Sequence, residues 1–475
     1  MRPIPSRLEH VALAVTCCLL LAAGCLLLAA CDLPPILPQS TPSESEPDAA
    51  TTDLPTVTES PTATVPSTMT RIVFWEPYPL DRPEGQLFLE MARDFEAAAP
   101  GVRVEIAAKS GVLGVHEAIL LQRQEGGELP DLAVAFSTSI AELAEQGLVM
   151  PLDELINDPE LGLSDADLAD IYSTTLEAGR FPLFSGQLLA FPFAPSAIGM
   201  WVNDSLLAQA GWQEPPSTWT QFEQACYDVW AQVGVRCLPI VESVSLFDAW
   251  LYSRGGQQLS GDGTQATFNG PAGVESLSLL RRLIDIGLAW RPEEAYGDYL
   301  AFSRGQTAFA FSSTGNNRLY AEAYAQAVQN GTPPFEWRQT MIPQADPGHP
   351  ATVLYGTSFF IVRSDPEQER LAWQLLRWLT STAQTARWAD HLAAMPVRAS
   401  ALTIMTDTLA AYPFIRQQTQ AILPYARPEP AVPAEFQVRE ILYTAIISVT
   451  QSNADPQAAL DSAAAEVNAI LAGRP

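Results

Sequence analysis

Aromatic and polar side chains occur together just after two short apolar stretches of the sequence. Trp75, Glu76 and Tyr78 follow the first stretch, and Phe136 and Ser137 follow the second. A sugar presents apolar C–H faces and a ring of hydroxyl groups, so its site combines an aromatic surface with polar groups that satisfy the hydroxyls. These five side chains are therefore candidates for binding a solute. Packing of Trp75 between lobes, and helix capping by the serines after Phe136, are the alternatives.

The sequence contains no pattern that is typical of a hydrolase or a zinc enzyme. Gly-x-Ser-x-Gly and His-Glu-x-x-His motifs are missing, and His116, His349 and His391 stand without a motif partner. Lys109 is the single lysine, and no glycine-rich phosphate loop surrounds it. We therefore expect no catalytic residue, cofactor or metal. A lipid-anchored glycoside hydrolase stays open because carboxylates are abundant, and so does a scaffold or adhesion lipoprotein.

The order of the predicted elements indicates an α/β fold with an open, mostly parallel sheet flanked by helices. Strands are predicted at 71–75, 102–106 and 131–136, and helices at 86–99, 115–125, 219–233, 272–287, 366–381 and 460–471. Ligands of such sheets bind at the carboxyl ends of the strands. Trp75 and Phe136 stand at two of those ends.

The first 30 residues have the pattern of a lipoprotein signal peptide. Arg2 and Arg7 precede an almost uncharged run, and Leu28-Ala29-Ala30-Cys31 resembles the lipobox whose cysteine becomes lipidated. We predict a signal peptide at 1–30, lipidation at Cys31 and a disordered Pro/Thr/Ser-rich tether up to residue 68. A retained membrane helix is the alternative. Both readings place the rest of the chain on the extracytoplasmic face of the cell membrane.

Two cysteines follow the predicted tether, at Cys226 and Cys237. In an oxidising compartment, cysteines this close in sequence can form a disulfide bond; two buried free thiols are the alternative.

The formal net charge of the whole chain is −28. Such a charge repels phosphate backbones, so we expect no nucleic-acid partner.

A series of short motifs runs through residues 72–471. The motifs are Phe95-Glu96-Ala97-Ala98-Ala99-Pro100-Gly101-Val102, Gly147-Leu148-Val149-Met150-Pro151-Leu152, Gly186-Gln187-Leu188-Leu189-Ala190-Phe191-Pro192, Pro216-Ser217-Thr218-Trp219, Phe302-Ser303-Arg304-Gly305-Gln306-Thr307-Ala308-Phe309 and Met395-Pro396-Val397-Arg398. Their order resembles that of the family-1 extracellular solute-binding proteins of ATP-binding-cassette (ABC) importers, the maltose and multiple-sugar binders. One departure is Val202-Asn203, where that family usually has Tyr-Asn.

The resemblance implies a type II periplasmic-binding-protein-like fold of two lobes joined by three crossings. We expect the crossings near 193–196, 311–313 and 363–365, one lobe at 69–193 and 313–364, and the other at 194–312 and 365–475. The implied function is capture of a small polar solute, a carbohydrate by expectation, through closure of the lobes. A monomer would then deliver the solute to the ABC permease subunits.

The resemblance also implies further ligand contacts. These are Ser196, Trp250, Ser313, Asn316, Tyr355 and Arg398. Core packing of Trp250 and a salt bridge of Arg398 are the alternatives.

Overall fold

The computed structural model describes residues 69–294 and 296–473. Its strands are β1 (Thr70–Glu76), β2 (Val102–Ala108), β3 (Leu132–Phe136), β4 (Arg180–Phe181), β5 (Gln187–Leu188), β6 (Phe191–Asn203), β7 (Leu238–Pro239), β8 (Ala289–Trp290), β9 (Phe309–Ser313), β10 (Trp337–Thr340), β11 (Thr352–Ile361) and β12 (Ala426–Pro428). Its α-helices are α1 (Pro83–Ala98), α2 (Gly111–Glu125), α3 (Ser137–Glu145), α4 (Asp153–Ile156), α5 (Asp165–Asp170), α6 (Ser173–Glu177), α7 (Asp204–Gln209), α8 (Trp219–Val233), α9 (Val244–Tyr252), α10 (Pro271–Asp285), α11 (Gly297–Ser303), α12 (Asn317–Gln329), α13 (Pro366–Leu379), α14 (Thr382–Leu392), α15 (Thr406–Ala411), α16 (Phe414–Gln417), α17 (Glu435–Ser452) and α18 (Pro456–Ala472). The predicted signal peptide, lipidated cysteine and tether lie outside the described residues. Among the described helices, none combines the length and the apolar character that a bilayer span requires.

One eight-stranded mixed sheet forms the centre of the fold. Its strands run in the order β10-β6-β11-β3-β1-β2, with β9 paired to β6 and β12 paired to β11. β1 is parallel to both β2 and β3, as the predicted strand–helix order requires. β11 is antiparallel to β3 and to β6, and β6 is antiparallel to β9 and β10. The α/β class is therefore confirmed, while the sheet is mixed rather than mostly parallel because two long antiparallel strands run through it.

Several helices begin where the sequence supplies a cap. The Asp365 carboxylate accepts hydrogen bonds from the first backbone amides of α13, and Thr218 forms a capping box with Gln221 at the start of α8. α8 has the predicted bounds, and α13 ends two residues before the predicted end.

Buried apolar side chains form two large cores. The first core includes Ile72, Phe88, Phe191, Phe359, Trp373 and Trp388. The second core includes Met200, Phe222, Phe247, Val353, Leu442 and Val467. β6 and β11 contribute side chains to both cores, so each of these strands passes from one core to the other. A third cluster, with Trp75 and Ile140, covers the opposite face of β1 and β3.

The packing does not follow the expected partition of the chain into 69–193 with 313–364 and 194–312 with 365–475. Trp373 of α13 packs in the first core, whereas Ile342 and Val353 pack in the second. The passage along β6 lies near the expected crossing at 193–196. The chain next crosses between the two cores within β11, which extends uninterrupted through both. This crossing does not lie near 311–313 or 363–365.

Candidate functional site

A cavity of about 300 Å³ lies where the end of β3 meets β6 and β11. Phe136 and Ser137 contribute to it from the β3–α3 junction, and Ser245 and Arg439 contribute from α9 and α17. α9 and α17 pack in the second core, while β3 packs in the first core and in the third cluster. The cavity is therefore bounded by elements of both large cores.

The β3–α3 junction presents backbone donors as well as side chains. Phe136 occupies the N-cap position of α3, and no side chain caps the helix there. The first amide groups of a helix have no partner within the helix and attract electron-rich oxygen atoms. Ser137 and Thr138, in the first turn, line the cavity. Ser139 is fully buried inside the helix, so it does not serve as the cap that its position allowed.

Gly356 allows β11 to approach β6 closely beside the cavity. Its φ is +133°, and a Cβ at this position would lie 2.2 Å from the carbonyl oxygen of Ala194. A side chain is excluded on both grounds. The register of the two strands shifts immediately afterwards, between Thr357 and Ser358. This irregularity leaves Phe193 of β6 as the extra residue, and Phe193 lines the cavity.

Tyr355 brings three of the predicted site residues together. It lines the cavity, pairs with Ser196 across the β6–β11 ladder and shares a side-chain hydrogen bond with Ser313. Burial raises the pKa of Tyr355 above its usual value, so the phenol remains a hydrogen-bond donor at neutral pH. Neither Ser196 nor Ser313 is among the residues that line the cavity.

An ion pair bridged by a serine lies at the second-core side of the cavity. Arg439 Nη1 is 2.8 Å from Glu429 Oε1. The Ser245 hydroxyl donates to that same carboxylate oxygen at 2.5 Å and accepts a hydrogen bond from Arg439 Nη2 at 3.1 Å. All three residues line the cavity. None of the three is among the predicted residues, and the local signal in the sequence is the proline-flanked position of Glu429 in Pro428-Glu429-Pro430.

Two further carboxyl groups are buried beside this ion pair. Asp248 and Glu435 are fully buried. Neither carboxyl oxygen of Asp248 has a hydrogen-bond partner among the described residues, and the Gln258 side chain lies within hydrogen-bonding reach of Glu435. Burial raises the pKa of both groups well above the usual range, and the Glu429 carboxylate raises it further. Both carboxyl groups therefore tend toward the neutral form.

A second, larger cavity of about 640 Å³ lies on the other side of the chain segment that carries Glu429. Ala178, Pro428 and Glu429 line both cavities. The larger cavity extends past Arg180 on one side and Gln258 on the other. Glu429 thus stands where the two cavities share a wall.

Trp75, Glu76 and Tyr78 do not line the 300 Å³ cavity. Trp75 belongs to the third apolar cluster, with Lys109 Nζ 3.6 Å above its ring. Tyr78 packs on Trp388 at a ring distance of 5.4 Å, and burial raises the pKa of Tyr78 to about 12. The three side chains therefore lie off this cavity because β1 ends level with the middle of β3, two residues short of Phe136. Their part in ligand binding stays a prediction.

The Glu76 carboxyl group is buried with only one partner. Its Oε2 accepts a hydrogen bond from the Tyr78 backbone amide at 2.6 Å, while Oε1 has none. Burial raises the pKa of Glu76 to about 7, and the Tyr78 amide lowers it by a smaller amount.

Three other predicted contacts also lie away from the cavity. Trp250 packs on Trp219 at a ring distance of 4.5 Å in the second core. Asn316 donates from Nδ2 to the Ser312 hydroxyl at 2.9 Å. Arg398 is buried, where its Nε donates to the Thr380 carbonyl at 2.6 Å and its Nη1 lies 3.4 Å from Asp170. Arg398 therefore joins buried segments, and its long side chain is held away from the cavity by these partners.

Among the described residues, one carboxylate and one guanidinium line the 300 Å³ cavity. Glu429 is the one carboxylate that lines the 300 Å³ cavity, whereas glycoside hydrolysis ordinarily uses two. Within 69–294 and 296–473, no group of three or more His, Cys, Asp or Glu side chains is arranged to hold a metal ion. Cys226 and Cys237 form a disulfide bond, with their Cα atoms 5.0 Å apart.

The sequence profile of the bacterial extracellular solute-binding proteins matches residues 81–386, which is more than half of the chain. The chain belongs to this family. A Brucella abortus protein, whose name states a binding role and no ligand, is 25% identical over 402 residues, covering 82% of this chain and 90% of the relative. A Deinococcus radiodurans protein whose name links it to an ABC transporter is 25% identical over 294 residues, covering 58% of this chain and 67% of the relative.

A solved structure agrees on the fold of this solute-binding protein. The sugar-binding protein MalE of Xanthomonas citri superposes with a TM-score of 0.71 at 20% identity, covering 85% of this chain and 98% of that chain. The fold is thus the α/β periplasmic-binding-protein-like fold, as the resemblance implied.

Proposed function

We propose that this solute-binding protein captures a small carbohydrate in the 300 Å³ cavity and delivers it to an ABC importer. The observation that carries the proposal is the composition of the cavity wall. Phe136, Phe193 and Tyr355 offer aromatic surfaces, and Ser245 and Ser358 offer hydroxyl groups. This combination suits a ligand with apolar faces and many hydroxyls. The sugar-binding role of the Xanthomonas citri MalE protein and the transporter link of the Deinococcus radiodurans relative support the same conclusion.

We propose further that the two cores are the centres of two lobes that close on the solute. The cavity is bounded by both cores, and β6 and β11 pass between them. The packing favours a first lobe of about 69–193 and 356–392, and a second of about 198–353 and 432–473. A bound ligand that contacts both lobes stabilises the closed arrangement, because it gains contacts there that the open arrangement lacks.

The remaining parts of the proposal rest on the sequence. The lipobox-like Leu28-Ala29-Ala30-Cys31 favours a lipid anchor on the extracytoplasmic face of the membrane, with 31–68 as a tether. Such a monomer would stay near the permease subunits that receive its solute. Binding without covalent chemistry is favoured over hydrolysis, because Glu429 has no second carboxylate across the cavity.

The test is a ligand screen by thermal shift on the full-length protein in detergent, with a library of sugars and polyols. A ligand at 100 times its Kd adds about 2.7 kcal/mol to the free energy of unfolding, so a binder should raise the melting temperature clearly. Phe136→Ala should raise the ligand concentration that gives half of the maximal shift by at least about tenfold, since it removes an aromatic face of the cavity. Trp230→Ala, at a half-exposed tryptophan outside the cavity, is the matched control.

Two outcomes would contradict the proposal. One is the absence of any response across the library. The other is an equal loss of binding in Phe136→Ala and Trp230→Ala, which would place the ligand elsewhere. Chromatography of the same samples detects hydrolysed sugar, and its appearance would favour an enzyme.

A further inference from the structure

The charged side chains that line the 300 Å³ cavity are Glu429 and Arg439, and they are already paired with each other. The Arg439 guanidinium and the Glu429 carboxylate are 2.8 Å apart. The side chain of Glu429 is 15% exposed and that of Arg439 is 28% exposed. A charge in such a sheltered position interacts far more strongly with its partner than a charge on the open surface does.

Ser245 bridges the two charged side chains. Its hydroxyl donates to Oε1 of Glu429 and accepts from Nη2 of Arg439. The three side chains come from α9, from the segment after β12 and from α17, so they join three separate parts of the chain. Ser245 and Arg439 both contact the same carboxylate oxygen, Oε1 of Glu429.

Two buried carboxyl groups and one histidine lie close to the pair without lining the 300 Å³ cavity. Asp248 and Glu435 are fully buried beside the pair, and burial favours their neutral form. His116 stacks on Phe436, a cavity-lining residue, at a ring distance of 5.8 Å, and its Nε2 lies 3.3 Å from Glu142. Neither His116 nor Glu142 lines the cavity.

We propose that the Glu429–Arg439 pair makes the cavity selective for uncharged solutes. This inference rests on the proposed function and specifies the class of carbohydrate. A carboxylate or phosphate on the ligand would have to displace Glu429 from Arg439, and an ammonium group would have to displace Arg439 from Glu429. Either replacement leaves one charge of the protein sheltered from water and without a partner, which is strongly unfavourable. A neutral sugar keeps the pair intact and bonds to it through hydroxyl groups.

The experiment compares neutral sugars with charged derivatives of the same sugars. The probes are D-glucose, D-glucosamine and D-glucuronate, with maltose and maltobionate as a longer pair, each titrated calorimetrically into full-length protein in detergent. The variants are Glu429→Gln, which frees Arg439, and Arg439→Gln, which frees Glu429. The double variant is the matched control, because it removes both charges and keeps both side-chain lengths close to the original.

The wild-type protein should bind the neutral member of each set at least about tenfold more tightly than the charged members. Glu429→Gln should shift the ratio toward glucuronate and maltobionate by about ten- to a hundredfold, the range expected for a hydrogen bond to an unpaired charge. Arg439→Gln should shift it toward glucosamine, and the double variant should again prefer the neutral sugar.

Equal binding of neutral and charged probes by the wild-type protein would overturn the charge proposal and leave carbohydrate binding intact. If Glu429→Gln leaves the ratio of neutral to charged binding unchanged, the charge proposal is likewise overturned. This variant alone tests the charge proposal if Arg439→Gln fails to fold. If no variant binds any of these probes, and the wider sugar screen also gives no binder, both the carbohydrate function and the charge proposal are overturned.

Discussion

Replacing the buried carboxyl group of Glu76 by an amide should remove a pH dependence from the stability of the protein. The Glu76 side chain is fully buried, and burial raises its pKa from 4.5 to about 7. Between these two pH values the folded protein holds a proton that the unfolded chain has released. The free energy of unfolding therefore falls as the pH rises through this window and levels off above it.

The size of the effect follows from the same pKa. At 1.36 kcal/mol per pKa unit, a rise from 4.5 to about 7 gives about 3 kcal/mol. Glu76→Gln mimics the protonated acid, because its oxygen can accept from the Tyr78 amide while its NH₂ occupies the place of the unpartnered oxygen. We expect Glu76→Gln to equal the wild type near pH 4.5 and to exceed it by about 2–3 kcal/mol at pH 8.

Chemical denaturation of both proteins at half-unit steps from pH 4.5 to 8 measures this difference. Subtracting the two curves cancels other groups that titrate in the window, such as His116, whose pKa is lowered chiefly by burial. Glu90→Gln is the control, since its exposed carboxylate should change stability by less than about 0.5 kcal/mol at any pH. A difference between Glu76→Gln and wild type that stays constant with pH would refute the reasoning.

Two further predictions concern the scaffold around the site. Gly356→Ala should lower the free energy of unfolding by about 2 kcal/mol or more, because the new Cβ would meet the carbonyl oxygen of Ala194; urea denaturation measures it, and an unchanged midpoint would contradict the close approach. Cys226→Ser should lower it by about 2–3 kcal/mol, since the lost disulfide closes a short loop to Cys237. The variant with serine at both Cys226 and Cys237 should have the same stability as Cys226→Ser. If a reducing agent leaves the denaturation midpoint of the wild-type protein unchanged, the prediction is contradicted.

Local patterns predicted the elements better than they predicted their partners. The β1–β2 and β1–β3 pairings follow from the strand–helix rhythm at the start of the fold. The bounds of α8 follow from the Thr218 capping box. The sequence placed α13 in the other lobe, but it packs in the first core because β11 carries the chain into that core before α13 begins.

Three of the predicted residues line the cavity, two marked by a strand end and one, Tyr355, by the family resemblance. Phe136 and Ser137 follow from the carboxyl end of β3. The same rule marks Trp75, but the register of β1 against β3 keeps it off this cavity, and register depends on partners distant in sequence. Glu429 lies in an irregular segment and Arg439 lies in a helix 10 positions later. They meet only through tertiary packing, so their spacing in the sequence does not predict the pair.

The two strands that run through both cores are hydrogen-bonded to each other at the point of passage, from Leu354 opposite Ala197 to Phe359 opposite Phe191. A rotation of one core against the other must therefore bend a paired ribbon, and the deformation is distributed over many backbone torsions instead of one pivot. For the closure proposed above, we expect this ribbon to resist the rotation elastically and to favour reopening once the solute has left.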